Sequence, residues 1–162
     1  MEKRFTYRWI WLMVAAATVA FIWQQSTLAP AESAETSNAV GNVLLTLFGG
    51  TPLGSFLSRY LRKIAHFVEF FALGLECEAY LVGRHTLRGT LFQLLFGLAV
   101  AATDEFLQIF TGRGSALSDV LLDFCGHLAG VAFLFLAVGF VSFLNKKRKV
   151  GAKDPGTAQS DV

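Results

Sequence analysis

Ionisable side chains within apolar segments are the residues of this sequence that could do chemistry. In one segment Arg62, His66 and Glu69 step by four and three residues, so one face of a helix would present all three. A charged side chain at the centre of a bilayer raises the free energy of insertion by about 2.5–3.5 kcal/mol. We therefore expect these groups to pair with one another or to line a functional site.

Two further apolar segments repeat this spacing, because Asp104 and Gln108 lie four residues apart, as do Asp119 and Asp123. Counting about 1.5 Å per residue from the segment ends puts the polar groups of all three segments at one level near the outer surface. This arrangement predicts a polar pocket that opens to the outside. The predicted pocket residues are Arg62, Lys63, His66, Glu69, Asp104, Glu105, Gln108, Arg113, Ser115, Asp119 and Asp123.

The alternative is that these polar groups only bind each other and hold the helices together. Ser, Thr or Asn would serve that purpose with less desolvation, so the number of carboxylates favours a site. Deeper in the segments, Glu76 and His127 are placed to form a pair. Glu78 lies near the inner end, where it is expected to reach Arg84 or Arg88.

The composition requires these groups to sit in membrane helices. The chain has 162 residues, of which 54% are hydrophobic and only 16% charged, and this departs from soluble proteins. A spanning helix needs about 20 mostly apolar residues. We predict one all-α integral membrane domain, residues 9–144, between a basic leader, 1–8, and a basic, disordered tail, 145–162. Its four transmembrane helices are predicted at about residues 9–28, 64–82, 90–110 and 117–144, and Gly126 and Gly130 predict close helix packing in the last of them.

Residues 36–62 form the first outer loop in this prediction. The stretch is weakly charged, but Gly49, Gly50 and Pro52 interrupt it, and an irregular backbone is not tolerated against lipid. We therefore predict one or two amphipathic interfacial helices here. Thr51 is the predicted N-cap of the second, with Pro52 at its first helical position.

Basic segments determine the predicted orientation. The leader, the loop between the second and third spans and the tail are all rich in Lys and Arg, and such segments remain in the cytoplasm. The prediction is a multi-pass protein of the cell inner (cytoplasmic) membrane with both termini in the cytoplasm. An alternative for the first segment is a signal peptide, given the small residues Ala29, Ala31 and Ala34.

Three stretches of the sequence resemble the VanZ-like family, named for a teicoplanin-resistance protein. They are residues 62–70, 103–108 and 112–130, and the resemblance extends over about residues 9–144. It implies a role at the cell envelope, in resistance to lipoglycopeptides. It also implies that the family's polar positions correspond to Lys63, His66, Glu69, Asp104, Glu105, Gln108, Arg113 and Asp119. Departures from the family pattern occur at Phe70, Asp123 and His127, and they make the predicted pocket more acidic.

The predicted function is that of a VanZ-like membrane protein of the cell envelope. Its outward-facing pocket would bind membrane lipids or a lipid-linked or amphipathic ligand and lower susceptibility to lipoglycopeptides such as teicoplanin. Two alternatives stay open, a membrane-embedded enzyme acting on a lipid or cell-wall precursor and a small proton-coupled carrier. The sequence identifies no catalytic residue.

Several partners are not expected from the sequence. No metal or nucleophile motif is complete, so neither a metal nor a cofactor is predicted. A formal net charge of +2 without a basic stripe argues against nucleic acid as a partner. Cys77 and Cys125 are expected to be small buried residues. A homodimer is compatible with the sequence.

Overall fold

The computed structural model describes residues 2–28, 30–48, 51–112 and 116–151, and in this part every element is a helix. This confirms the predicted all-α fold class for the described residues. The helices are α1 (Glu2–Thr27), α2 (Pro30–Phe48), α3 (Pro52–Leu81), α4 (Leu87–Phe110) and α5 (Leu117–Gly151).

Three helices in the described part of the chain are long and apolar enough to cross a membrane. These segments are Arg8–Thr27, Leu87–Phe110 and Leu117–Arg148, and they correspond to the first, third and fourth predicted spans. Together they indicate a membrane protein. Helix α3 contains the second predicted span, but its charged side chains make it less apolar than these three helices.

Helix α3 is longer than the predicted second span. The sequence pattern divided this region into an interfacial segment ending at residue 62 and a span beginning at residue 64, whereas α3 is one continuous helix of 30 residues. No Gly or Pro lies between residues 55 and 73 to interrupt it. The predicted start is confirmed, because Thr51 is the N-cap and its side chain accepts a hydrogen bond from the Gly54 N–H at 3.1 Å.

The helices α1 and α4 run in one direction and α3 and α5 in the other. The Arg8 guanidinium lies 4.2 Å from the centroid of the Tyr80 ring, which brings the start of α1 to the end of α3. Lys63, in the first half of α3, forms an ion pair at 3.0 Å with Asp119, in the first turn of α5. One end of the bundle therefore collects the basic leader, the α3–α4 loop and the basic end of α5.

Helices α3 and α5 make the most extensive contact in the structure, and small residues allow it. A Cβ atom added at Gly130 would overlap the carbonyl oxygen of Phe71, and one added at Gly126 would lie 2.6 Å from that of Phe67. The reciprocal position on α3 is Gly74, where a Cβ would overlap the His127 carbonyl oxygen. The predicted packing role of Gly126 and Gly130 is confirmed.

The apolar core is small and lies beside the polar groups. It contains Ala15, Val19 and Ile22 of α1, Phe70 and Leu73 of α3, and Val100 and Ala101 of α4. Many large apolar side chains point outward instead, among them Phe92, Phe133 and Leu136 at 60–72% exposure. Such an outer surface is typical of helices whose solvent is lipid.

Candidate functional site

A connected group of polar side chains lies at the end of the bundle where α1 and α4 end. We call it the polar cluster, and its members are Ser26, Arg62, His66, Asp104, Glu105, Gln108 and Asp123. Helix α1 contributes one member, α3 two, α4 three and α5 one. Four helices therefore meet through polar contacts at one level of the bundle.

Asp104 is the centre of the polar cluster and is 0% exposed. Its Oδ1 accepts a hydrogen bond from the Ser26 hydroxyl of α1. Its Oδ2 accepts one from Gln108 Nε2 at 3.0 Å and lies 3.5 Å from His66 Nδ1. Because buried polar groups are expensive to leave unpaired, these contacts explain how a carboxyl group is retained inside the bundle.

Gln108 joins the two neighbouring carboxyl groups of α4 to the exposed end of the cluster. Its Nε2 donates to Asp104 Oδ2 and also to Glu105 Oε1, the latter at 3.1 Å. Its Oε1 accepts a hydrogen bond from the Arg62 guanidinium at 2.7 Å. Glu105 Oε2 in turn accepts from the backbone N–H of Ala116 at 3.2 Å. Asp104 and Glu105 therefore flank one shared amide group.

His66 lies between two buried carboxyl groups. Its Nδ1 is 3.5 Å from Asp104 Oδ2 and 3.5 Å from Asp123 Oδ1, longer than ordinary N–H···O hydrogen bonds. One donor atom from each of the three residues falls within 4.8 Å of the others. Among the described residues, this is the group whose arrangement could hold a metal ion.

Lys63 and Asp119 form an ion pair beside the polar cluster, and both are solvent-accessible. Their side chains are 54% and 33% exposed, and the Ser118 hydroxyl also contacts Asp119 at 3.4 Å. Exposed ion pairs contribute little to the free energy of unfolding because water competes for both charges. The role of the Lys63–Asp119 pair is therefore distinct from that of the buried carboxyl groups.

Replacing Lys63 by Ala is expected to change the free energy of unfolding by less than about 1 kcal/mol, as for exposed ion pairs generally. Thermal unfolding of the purified protein in detergent, followed by circular dichroism, measures this. A large loss of thermal stability would mean that Lys63 supports the bundle in a way that its exposed position does not suggest.

Most of the predicted pocket residues lie close together. The polar cluster contains six of them, and Lys63 and Asp119 form the adjacent pair. Glu69 is half-buried one turn after His66, without a hydrogen bond to another described residue. Arg113 and Ser115 lie outside the described residues.

Sequence reasoning missed Ser26, which is 1% exposed and is the contribution of α1 to the polar cluster. Counting back from the end of the first predicted span puts Ser26 at the outer end of α1, which is the end of the bundle that carries the polar cluster. A single hydroxyl group in an apolar helix is a weak sequence signal, because serine is tolerated there without a functional role.

Towards the other end of the bundle, two predicted pairings are wrong. Glu78 is buried and contacts Gln93 Nε2 at 3.0 Å and His85 Nε2 at 3.3 Å, instead of Arg84 or Arg88. Glu76, which was predicted to pair with His127, accepts a hydrogen bond from the Thr18 hydroxyl at 2.9 Å instead. Neither ring nitrogen of the fully buried His127 has a hydrogen-bond partner among the described residues.

Comparison with known proteins gives one family. A family model described as VanZ/LLP1 matches residues 9–138, a range that holds the whole polar cluster. No significant match was found among curated proteins or among solved structures.

Proposed function

This chain belongs to the VanZ/LLP1 family, and we propose that its polar cluster binds the anionic group of a lipid-linked or amphipathic molecule at the outer face of the cytoplasmic membrane. By binding such molecules, the protein would reduce the access of lipoglycopeptides such as teicoplanin to their target at the cell surface, and so lower susceptibility to them. In this proposal the protein acts by binding and is not an enzyme.

The proposed topology has four spans. The later part of α3, residues 64–82, crosses the membrane with α1, α4 and α5, although its polar groups face the bundle. The end that carries the basic leader, the α3–α4 loop and the basic end of α5 lies in the cytoplasm, following the positive-inside rule. The polar cluster is then near the outer face, and α2 with the first turns of α3 lies at the outer interface.

The observation that carries the proposal is the position of Arg62. Its side chain belongs to an exposed residue, yet it donates a hydrogen bond to Gln108 within the polar cluster at 2.7 Å. A guanidinium has five N–H donors, so donors remain for a phosphate or carboxylate of a ligand. Lys63 adds a second exposed cation one residue away.

Exposed apolar residues on α3 suit the apolar part of a lipid-linked or amphipathic ligand. Leu53, Phe56 and Tyr60 of α3 are 40–54% exposed, and they precede Arg62 on the same helix. These side chains share a helix face with Lys63, whose side chain is 54% exposed. An acyl chain could lie along them while its anionic group contacts Lys63 and reaches Arg62 beside it. An amphipathic ligand satisfies both surfaces, whereas a fully polar one does not.

Expression of the wild-type chain in a sensitive Gram-positive host is expected to raise the inhibitory concentration of teicoplanin several-fold. Vancomycin, which lacks the acyl chain, is the comparison drug and should show a smaller change. Arg62→Ala is expected to remove most of the protection, because it eliminates the cation that links the ligand to the cluster. Membrane levels of each variant are matched by immunoblot.

Arg59→Ala is the matched control, since it removes the same side chain one turn earlier on α3, outside the polar cluster. It should keep the protection. If well-expressed wild type gives no protection, the resistance role is wrong for this protein. If Arg62→Ala protects as well as wild type, the polar cluster is not where the ligand binds.

A further inference from the structure

We propose that His66, Asp104 and Asp123 form a binding site for a divalent transition-metal ion, with Zn²⁺ as the best fit. The proposal goes beyond ligand binding at Arg62, because the ion would bind inside the polar cluster and needs no lipid. The sequence contains no complete metal-binding motif, because the three residues belong to three different helices.

Two distances between donor atoms suit a small divalent ion, and all three atoms lie within 4.8 Å of one another. In a tetrahedral zinc site with metal–ligand distances of about 2.1 Å, neighbouring ligand atoms lie about 3.4 Å apart. His66 Nδ1 is 3.5 Å from both Asp104 Oδ2 and Asp123 Oδ1. An imidazole with two carboxylates fits zinc and its neighbours in the first transition row better than it fits Mg²⁺ or Ca²⁺.

Asp123 supplies an independent reason to expect a ligand. The residue is 1% exposed, and its Oδ2 has no hydrogen-bond partner in the described part of the chain. Its Oδ1 reaches only His66, at 3.5 Å. A buried carboxylate with so few contacts would be strongly destabilising, and a bound cation resolves this.

Charge balance supports the same conclusion. Asp104, Glu105 and Asp123 are each less than 5% exposed, and among the described residues the cationic members of the cluster are Arg62 and His66. Buried carboxylates are usually paired or coordinate metals. A divalent ion would offset the excess negative charge within the cluster.

The groups around the site are arranged as they are around known metal ligands. Ser26 and Gln108 donate hydrogen bonds to Asp104, and such outer contacts fix a ligand's orientation. The His66 side chain is 17% exposed, so an ion can reach the site from one side. Three protein ligands leave a coordination position for water or an anionic ligand group.

The test uses the full-length protein purified in detergent, stripped with a chelator, loaded with Zn²⁺ and desalted. Elemental mass spectrometry is expected to find about one zinc ion per chain, as for a single three-ligand site. Loading with Co²⁺ instead should give the visible absorption bands of a low-coordinate site. Titration with Co²⁺ then gives the affinity of each variant.

Asp123→Asn is the decisive variant, because the contact of Asp123 in the described part of the chain is with His66 alone of the cluster and an amide fits the same space. Changes around metal ligands already lower affinity by about 10–100-fold, so loss of a ligand should lower it at least that much. His66→Gln should do the same. Asp119→Asn is the matched control on α5 and should keep wild-type affinity.

Zinc well below one ion per chain in folded wild type, without the Co²⁺ absorption bands, would overturn the proposal. So would equal loss of affinity in Asp119→Asn and Asp123→Asn, since binding would then be non-specific. Because the measurement involves neither lipid nor antibiotic, its failure leaves the teicoplanin result unaffected, and the reverse also holds.

Discussion

Replacing Gly130 by Ala is expected to lower the thermal stability of the protein strongly. The added Cβ would overlap the carbonyl oxygen of Phe71 and lie 2.9 Å from the backbone nitrogen of Leu75. Backbone atoms cannot move aside as a flexible side chain can, so α3 and α5 must separate. Overpacking a core raises the free energy by about 1–3 kcal/mol, and we expect the upper part of that range here.

Gly139→Ala provides the matched comparison on the same helix, because no atom lies within 4 Å of the added Cβ. There the substitution should be neutral or raise stability by up to about 1 kcal/mol, since glycine weakens a helix interior. Melting temperatures of both variants in one detergent decide the matter. Equal values for the two variants would show that the close α3–α5 contact is absent in the folded protein.

This contact also determines where the polar cluster lies. Phe67 and Phe71 of α3 face the glycines of α5, so His66, one residue earlier, lies at the edge of the interface beside Asp123. A wider α3–α5 separation would lengthen the 3.5 Å distance between His66 and Asp123. Gly130→Ala should therefore weaken zinc binding as well as stability, although it changes no polar group.

Helical spacing was sufficient to predict which residues share a face. The four-residue steps of Asp104 with Gln108 and of Asp119 with Asp123 correctly placed these pairs on single faces of α4 and α5. Depth, counted along each helix, correctly brought His66 to the level of Asp104. Both inferences rest on the regular geometry of the α-helix, which holds whatever the neighbouring helices are.

The partners across helix interfaces could not be predicted in the same way. Ser26 of α1 reaches Asp104, and Gln93 of α4 reaches Glu78, because rotation about each helix axis brings them together. Spacing within one helix does not determine that rotation relative to another. The continuity of α3 was missed for a different reason, because composition changes near residue 62 while the helix does not.

The cluster therefore combines two properties that the sequence presented as alternatives. Its buried members bind one another as interhelical hydrogen-bonding groups do. In contrast, Arg62 is exposed, and Asp123 Oδ2 has no hydrogen-bond partner among the described residues. Residues that only held helices together would have satisfied their own hydrogen bonds. The members with unused hydrogen-bonding groups suit a ligand, and the members whose hydrogen bonds are satisfied hold them in place.

Replacing Asp104 by Ala is expected to lower the free energy of unfolding by about 3–5 kcal/mol, the range measured when one partner of a buried charged group is removed. Three groups on three helices lose a contact at once, namely the Ser26 hydroxyl, the Gln108 amide and the His66 ring. Thermal unfolding in detergent measures the loss, and Asp104→Asn should recover part of it by keeping the shape and one acceptor.

Asp119→Ala is the comparison that separates burial from charge. It removes the same side chain from the membrane domain, but its Lys63 contact is exposed, so the expected change is below about 1 kcal/mol. If the two Ala variants were equally stable, the hydrogen bonds around Asp104 would contribute nothing to the bundle. Asp104→Asn keeps the shape of the side chain, so this variant should stay folded while it loses the carboxylate ligand for zinc. It therefore separates the structural role of Asp104 from its role in metal binding.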